Sequence, residues 1–333
     1  MKTNYGKTSN FKNLWKRATQ PNFSSLVWEE HHQIVTIQES GTCRVFAKVE
    51  NKDKNWSSFV PCWDHTRVIL SSNNSEISNY IHANYVDGFN EKKKFICTQA
   101  PKMNTVKRFW DMVWKENSRI IIMLMSLMTN TNADYNHYDK HQCYPYWHHE
   151  ENGTVKIGDY NITTMKKRSC PHLTMTELCL TKKISKKSRE IYHYSYTDWT
   201  IDGIPASPSH FYEFIRKVNV LDVAVKQRLK IFSEKLGPII VHCTTGIGRT
   251  GIFCTTDYAL FEMLNTSRIS LPEIVRSIRQ QRHSSVIIPE QYFFCYRVIL
   301  HFISIVKKKK AKTYSNQTLP PNNSEIDVAS LIG

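Results

Sequence analysis

Cys243 and Arg249 stand six positions apart in the string His242-Cys243-Thr244-Thr245-Gly246-Ile247-Gly248-Arg249-Thr250. An apolar run, Pro238 to Val241, precedes the string and reads as a buried strand. An apolar segment, Gly251 to Leu264, follows it and reads as a helix. A cysteine on a tight turn at a helix N-terminus faces backbone N–H groups and the positive end of the helix dipole. Such donors, with a guanidinium nearby, favour the thiolate over the thiol. The same donors match the oxygens of a phosphoryl group, two of which Arg249 can grip bidentately. A nucleophile beneath a bound phosphoryl group is the arrangement of covalent phosphoryl transfer. The plain alternative is a buried structural cysteine beside an unrelated surface arginine. The strand–turn–helix context argues against it.

Other elements must hold that turn. Phe23, Leu26, Val27, Ile34 and Ile37 recur at helical spacing and predict a first helix. Strands are predicted at Arg67–Leu70, Ala83–Val86 and Lys94–Thr98. Asn104 or Thr105 can cap a helix whose apolar face is Val106, Phe109, Trp110, Val113 and Trp114. Ile120 to Leu127 reads as a central strand, apolar on both faces, and residues 129–150 as loop. Further strands are read at Thr174–Leu180 and Glu190–Ser195. Helices are read from Ser207-Pro208, from Pro272 and from Pro289. Interleaved strands and helices predict a single α/β domain over residues 21–306, a twisted mixed sheet flanked by helices. Residues 1–20 are expected to form a loose N-terminal arm, and 307–333 a basic, then polar, disordered tail.

Composition bounds the partners. The chain has 333 residues, and Lys plus Arg outnumber Asp plus Glu by 45 to 29, a net charge of +16. That charge favours anionic partners. The excess clusters at Lys92–Lys94, Lys166–Arg168, Lys182-Lys183, Lys186-Lys187 and Lys307–Lys310, expected on loops and ends. No zinc-finger, RNP or basic-zipper pattern turns it into specific nucleic-acid recognition. Nine cysteines without a CxxC pair, and a polar, basic start, predict reduced thiols in a cytoplasmic protein. The longest apolar stretch, Ile120 to Met128, is too short to span a bilayer. His137, His141, Cys143, His148 and His149 crowd into 13 residues, but their spacing matches no defined zinc module. No metal and no cofactor are assigned, and a monomer is expected.

The His-Cys-five residues-Arg-Ser/Thr pattern resembles the phosphate loop of cysteine-based protein tyrosine phosphatases. The likeness runs from about residue 23 to 306. Asp64-His65-Thr66-Arg67-Val68 is similar to the family's DHxRV segment, and Ala83 to Phe89 to its ANYIDGY strand. Thr98-Gln99-Ala100-Pro101 is similar to TQGP, Phe109 to Trp114 to FWRMVW, Tyr146-Trp147 to the YW of KCxxYWP, and Glu290-Gln291-Tyr292 to EQY. The chain thus resembles the non-receptor tyrosine phosphatases. The wording of Val60 to His65 and of Pro289 to Arg297 looks most like those of parasitoid-wasp bracoviruses.

The resemblance implies two steps. Cys243 would attack phosphotyrosine to form a cysteinyl-phosphate while Arg249 and the loop amides hold the oxygens. Thr250 would hydrogen-bond the departing thiolate, and His242 would tune it. Thr244, Thr245, Gly246, Ile247, Gly248, Gln291 and Trp199 would line the substrate site. A Trp-Pro-Asp loop would supply the general acid, and a glutamine would position water.

The chain departs from that pattern where turnover needs it. Trp199, Gly203 and Pro205 fix the register of the mobile loop, so Thr200 stands at the proline position and Ile201 at the general-acid position. Isoleucine gives no proton, and general acid catalysis supplies about 10²–10⁴-fold. Asp202, one residue on, is a weak substitute, and Asp198 lies three back. In the phosphotyrosine loop, Asn55-Trp56-Ser57-Ser58-Phe59, Ser57 replaces the tyrosine that flanks the substrate ring and Phe59 the acidic anchor. Trp56 could replace that aromatic packing or simply cover its own domain. Ile287 takes the water-positioning glutamine's place, and Gln142 that of a lysine before Cys143. Near His137 an expected acidic residue is absent, and Thr244-Thr245 replace a smaller pair.

Three readings follow. The first is an inactive or severely impaired phosphatase fold that binds phosphotyrosine proteins, host signalling proteins among them. The second is a slow tyrosine phosphatase, and the third a basic interaction protein with a vestigial site. Retention of both Cys243 and Arg249 speaks against the third.

Overall fold

Two apolar runs set the centre of the molecule. In the computed structural model, which describes residues 8–70, 78–125, 143–200 and 202–316, with side chains to Lys309, they form adjacent parallel strands. All counts below are of those residues. In chain order the elements are β1 (Ser9–Asn10), α1 (Phe11–Ala18), α2 (Phe23–Val35), α3 (Arg44–Ala47) and a 3-10 helix (Val49–Lys54), then β2 (Arg67–Ile69), β3 (Tyr80–Gly88), β4 (Glu91–Gln99) and α4 (Val106–Lys115). There follow β5 (Ile120–Met123), β6 (Thr154–Ile157), β7 (Tyr160–Cys170), β8 (Leu173–Lys182), β9 (Ser188–Tyr196) and α5 (Pro208–Ile231). Last come β10 (Ile239–Cys243), α6 (Gly248–Thr266), β11 (Arg268–Ile269), α7 (Leu271–Gln281) and α8 (Pro289–Asn316).

Nine strands form one mixed sheet in the order β2-β3-β4-β10-β5-β9-β8-β7-β6. The middle block, β4, β10, β5 and β9, is parallel, and the flanks are antiparallel. Helices cover both faces of β10 and β5, so both read as continuous apolar runs rather than alternations. Alternate residues feed two cores. Ile239, Val241, Ile120 and Ile122 face α5, α6 and α8, while Ile240, Ile121 and Met123 face α4. The predicted α/β class and the mixed sheet flanked by helices are what the chain adopts. No described helix is long and apolar enough to cross a membrane. All nine cysteines are free.

Several expectations need correction. The N-terminal arm is not loose over its described part. Phe11, Leu14 and Trp15 fall at helical spacing, and α1 buries Leu14 while Phe11 packs on Phe302 of α8. Asn10 caps α1 through Asn13 N–H at 2.9 Å. The tail does not begin at Lys307, because α8 continues to Asn316 and the Lys307 ammonium sits 3.9 Å from the Trp15 ring. Strands β6 and β7 escape the sequence reading. The outer half of β7 is exposed and polar, so no apolar alternation marks it. The lysine clusters are not confined to loops either: Lys166–Arg168 lie on β7 and Lys92–Lys94 on β4.

One of those lysines crosses the molecule. Lys94 is buried and meets Asp257 of α6 at 2.5 Å and Asn219 Oδ1 of α5 at 3.1 Å. Asn219 Nδ2 also donates to Asp257 Oδ1 at 2.7 Å. A single loss strands a buried charge, which costs about 3–5 kcal/mol. Lys94→Met should therefore lower the urea-unfolding free energy by about that much. Adding Asp257→Asn should return a large part of it; no recovery in the double variant would show that the pair is not the unit lost.

Candidate active site

β10 ends at the sheet's centre, and the chain turns at once into α6. Gly246 makes the turn with φ +71°, and a Cβ there would stand 2.2 Å from the Thr98 carbonyl oxygen, so only glycine fits. Three consecutive carbonyls are taken by neighbours outside the turn. Thr244 O accepts from Ala100 N at 3.0 Å, Thr245 O from Arg282 Nη2 at 2.9 Å and Gly246 O from Arg282 Nε at 3.0 Å. In a trans peptide the N–H opposes the preceding carbonyl. Fixing those carbonyls outward therefore turns the N–H groups of Thr245, Gly246 and Ile247 into the loop.

Cys243 lies at the floor of this cup, 4% exposed. Its Sγ accepts from Gly246 N–H and from Thr250 Oγ1, each at 3.3 Å. Gly248 opens α6 beneath the Gln291 amide: a Cβ there would lie 2.7 Å from Gln291 Nε2. His242 points the other way. Its Nε2 meets the Tyr146 hydroxyl at 2.7 Å, and that hydroxyl meets His193 Nε2 at 2.6 Å. Burial holds His242 neutral, its pKa down to about 3 against a weaker contribution from the Cys243 backbone. Burial likewise drives His193 well down and Tyr146 well up. The chain of three rings fixes the strand end from which Cys243 projects.

Arg249 carries Trp199 on its guanidinium, with 5.0 Å from Cζ to the ring centroid. It also donates to Leu124 O at 3.4 Å. Trp199 Nε1 donates to Tyr196 O at 2.8 Å, and its ring packs edge-on to Tyr196 and Phe211. The loop after it closes as a narrow hairpin. Thr200 N donates to Ile204 O at 2.8 Å, Gly203 N to Thr200 O at 3.0 Å and Ala206 N to Asp198 O at 3.0 Å. Gly203 takes φ +70° and stands against Arg249: a Cβ there would be 3.8 Å from Nε. Ile201 lies outside the described residues. Asp202 is exposed.

The rim departs as the sequence does. Trp56 packs on its own domain, donating from Nε1 to Ala100 O at 2.7 Å and from its backbone to Gln99 Oε1 at 3.1 Å. Ser57 accepts from Phe59 N at 3.1 Å, and Phe59 is 91% exposed. Ile287 is half exposed, and its N–H donates to Gln291 Oε1 at 3.1 Å. Of the histidine-rich segment, His137, His141 and Gln142 lie outside the described residues. Burial pushes the Cys143 thiol up, and His148 turns to its own chain at Glu150.

Sequence reading missed the residue that shapes the loop. Arg282, fully buried, also donates from Nη1 to Asn84 Oδ1 at 2.8 Å and from Nη2 to His82 Nδ1 at 3.0 Å. His82 is driven to a pKa of about 3 by burial and then by this guanidinium. A buried-arginine signal exists in the sequence only as one basic residue at the end of an apolar-faced helix.

A mixed sheet whose central strand ends in a cysteine cup, with Arg249 in the first turn of the helix that follows, defines an α/β protein with a cysteine-centred strand–turn–helix site. Residues 51–301 match the protein-tyrosine phosphatase family, and the chain belongs to it. It is 39% identical to the probable tyrosine phosphatase protein N1 of Microplitis demolitor bracovirus, over 87% of this chain and 89% of that protein. It is 40% identical to that virus's tyrosine phosphatase H3, over 90% and 96%. Human tyrosine-protein phosphatase non-receptor type 9 is 30% identical over 88% of this chain and 48% of its own length.

Neutral burial of His82, His193 and His242 sets an acid limit. Each is depressed in the folded protein, so the unfolded chain binds more protons below its ordinary pKa of 6.5. The stability each gives is present above about pH 6.5 and is lost as pH falls, toward about 3 for His82 and His242. The urea-unfolding free energy should fall steadily from about pH 6.5 to pH 4, by up to about 1.4 kcal/mol per pH unit per histidine. His242→Asn should flatten the slope; an unchanged slope would remove His242 from the account.

Proposed function

We propose that this chain is a tyrosine-phosphatase-like protein that binds phosphotyrosine proteins and turns them over poorly or not at all. The observation that carries the reading is the Cys243 thiol, held by two donors at 3.3 Å with Arg249 alongside, while residue 201 is isoleucine. Binding a phosphoryl group needs the cup and the guanidinium. Efficient cleavage also needs a proton on the leaving phenol, and Ile201 has none to give.

In the residual chemistry, Cys243 Sγ would attack phosphorus, and the P–O bond to the phenol would break. The phenolate would leave without a protein acid and take its proton from water. Arg249 and the amides of residues 245–247 would hold the three equatorial oxygens. Thr250 would hydrogen-bond the thiolate released when water attacks the cysteinyl-phosphate. With isoleucine at 287, Gln291 is the side-chain amide left near that water. His242 acts at one remove, through the strand end that Tyr146 fixes. Thr244 and Thr245, half-buried at the wall, and Trp199, over Arg249, would shape the mouth. The reading extends to partners: phosphotyrosine-bearing proteins, signalling proteins of a host cell among them, met in the cytoplasm. The domain would span residues 21–306, with α1 as an added brace.

Two measurements test this. Orthovanadate should protect Cys243 from alkylation, read by mass spectrometry of its peptide, and Arg249→Lys should remove most of that protection. No protection at any concentration would mean a closed cup. Separately, Ile201→Asp should raise single-turnover cleavage of a phosphotyrosine peptide about tenfold, and less for an aryl phosphate with an acidic leaving group. Adding Thr200→Pro removes the N–H that donates to Ile204 O, so the double variant tests loop shape against that bond. Cys243→Ser should abolish every gain. Parent turnover within tenfold of an intact relative would overturn the reading.

A further inference from the structure

Among the described residues, one group of three ligand-type side chains converges closely enough to share an ion. His172 comes from the turn between β7 and β8, Asp198 from the residue before Trp199, and His210 from the first turns of α5. One ligand atom from each lies within 4.8 Å of the others. His210 Nδ1 stands 3.3 Å from Asp198 Oδ2, and the imidazoles of His172 and His210 lie nearly parallel, centroids 3.9 Å apart at 15°. Two ligands of a tetrahedral ion with bonds of 2.0–2.1 Å stand roughly 3.3–3.4 Å apart. The histidine–carboxylate edge already has that span.

The backbone holds all three in place. Thr197 N donates to His172 O at 3.0 Å, which ties the β7–β8 turn to the strand end beside Asp198. Ala206 N donates to Asp198 O at 3.0 Å, and the Ser207 hydroxyl accepts from His210 N at 3.4 Å to cap α5. The Tyr196 hydroxyl lies 3.5 Å from Asp198 Oδ2, as an outer partner of the carboxylate. A histidine–aspartate pair alone would account for Asp198 and His210. It leaves His172 outside the pair. The lone pairs of stacked imidazoles lie in parallel planes, so one ring must turn out of the stack for both to meet one ion. The ligand atoms, already within 4.8 Å of one another, need move little for that.

We propose that His172, Asp198 and His210 form a binding site for a first-row divalent transition ion of the zinc type, with water completing the shell. Two imidazoles and one carboxylate suit zinc, cobalt or nickel far better than the all-oxygen shells of calcium or magnesium. Such an ion would clip the two ends of the loop 199–206 together. Asp198 enters that loop and His210 follows its exit, while His172 ties both to the β7–β8 turn. Because Trp199 rests on Arg249, occupancy would bear on how freely the loop leaves the phosphate cup. The site and its binding test stand independently of any activity.

Cobalt(II) titration of the metal-free full chain gives the test. One equivalent should produce visible d–d absorption without thiolate charge transfer, since no sulfur is in the set. The double variant His172→Ala/His210→Ala should lose that signal, and Asp198→Asn should weaken binding tenfold or more. His148→Ala/His149→Ala should bind as the parent does, which separates this group from the histidine-rich segment. Zinc should also raise the Tm of the parent and not of the double variant, with equal metal-free Tm values as the folding control. Absence of binding at millimolar cobalt, a charge-transfer band, or a signal unchanged in the double variant would each overturn the assignment.

Discussion

A buried guanidinium with no carboxylate partner among the described residues holds the phosphate loop in shape. Arg282 meets two loop carbonyls, one amide oxygen and one imidazole. Taking such a charge out of water is costly unless every donor finds an acceptor. Here the acceptors, among the described residues, come from β3 and from the loop, so the loop's curvature and the arginine's burial stabilise each other. The same contact forces His82 to accept and stay neutral, and His82 Nε2 in turn meets Val60 O at 2.9 Å. Its positive charge also lies behind the cup, where it raises the local potential for any anion in front. The glycine at 246 is the second half of the constraint: one position without a Cβ lets the loop pass over β4.

Under the proposed function, phosphate binding and leaving-group protonation sit on different elements, and this separation would let one persist while the other changes. The cup belongs to β10, α6 and Arg282. The acid position belongs to the hairpin after β9. Trp199 keeps that hairpin's base through Tyr196, Phe211 and Arg249 without a proline to help. Thr200 does something proline cannot, donating its N–H across the hairpin to Ile204 O. The loss of the usual proline is therefore matched by a backbone bond that only a residue with an N–H can make.

What the sequence disclosed follows from the range of the interactions. The cup was legible because its strand, glycine turn, helix and nucleophile are contiguous. β5 and β10 were legible because burial on two faces leaves unbroken apolar runs, and α4, α5, α7 and α8 because one face of each is apolar. β7 was not, since its outer half pairs with β8 in water and needs no apolar face. Arg282 was not legible, because its partners lie 36 and 198 residues away in the chain. The same distance hid the Tyr146 hydroxyl, whose histidines come from β9 and β10. α1 looked loose because its apolar residues, Phe11, Leu14 and Trp15, are diluted among lysines that stay in solvent.

Charge and shape divide recognition between them. A net charge of +16 favours anionic partners at long range, but salt screens such attraction beyond about 8–10 Å. Close discrimination must come from the rim. There the chain offers Ser57, a tryptophan turned onto its own domain and a phenylalanine in open solvent. A serine rather than a ring at 57 would, under the proposed function, let the length of the phosphorylated side chain be read less strictly than the phosphoryl group itself. Under the proposed function, choice of partner then falls on surfaces beyond the cup. The exposed Phe59 and the basic outer half of β7 are two such surfaces among the described residues.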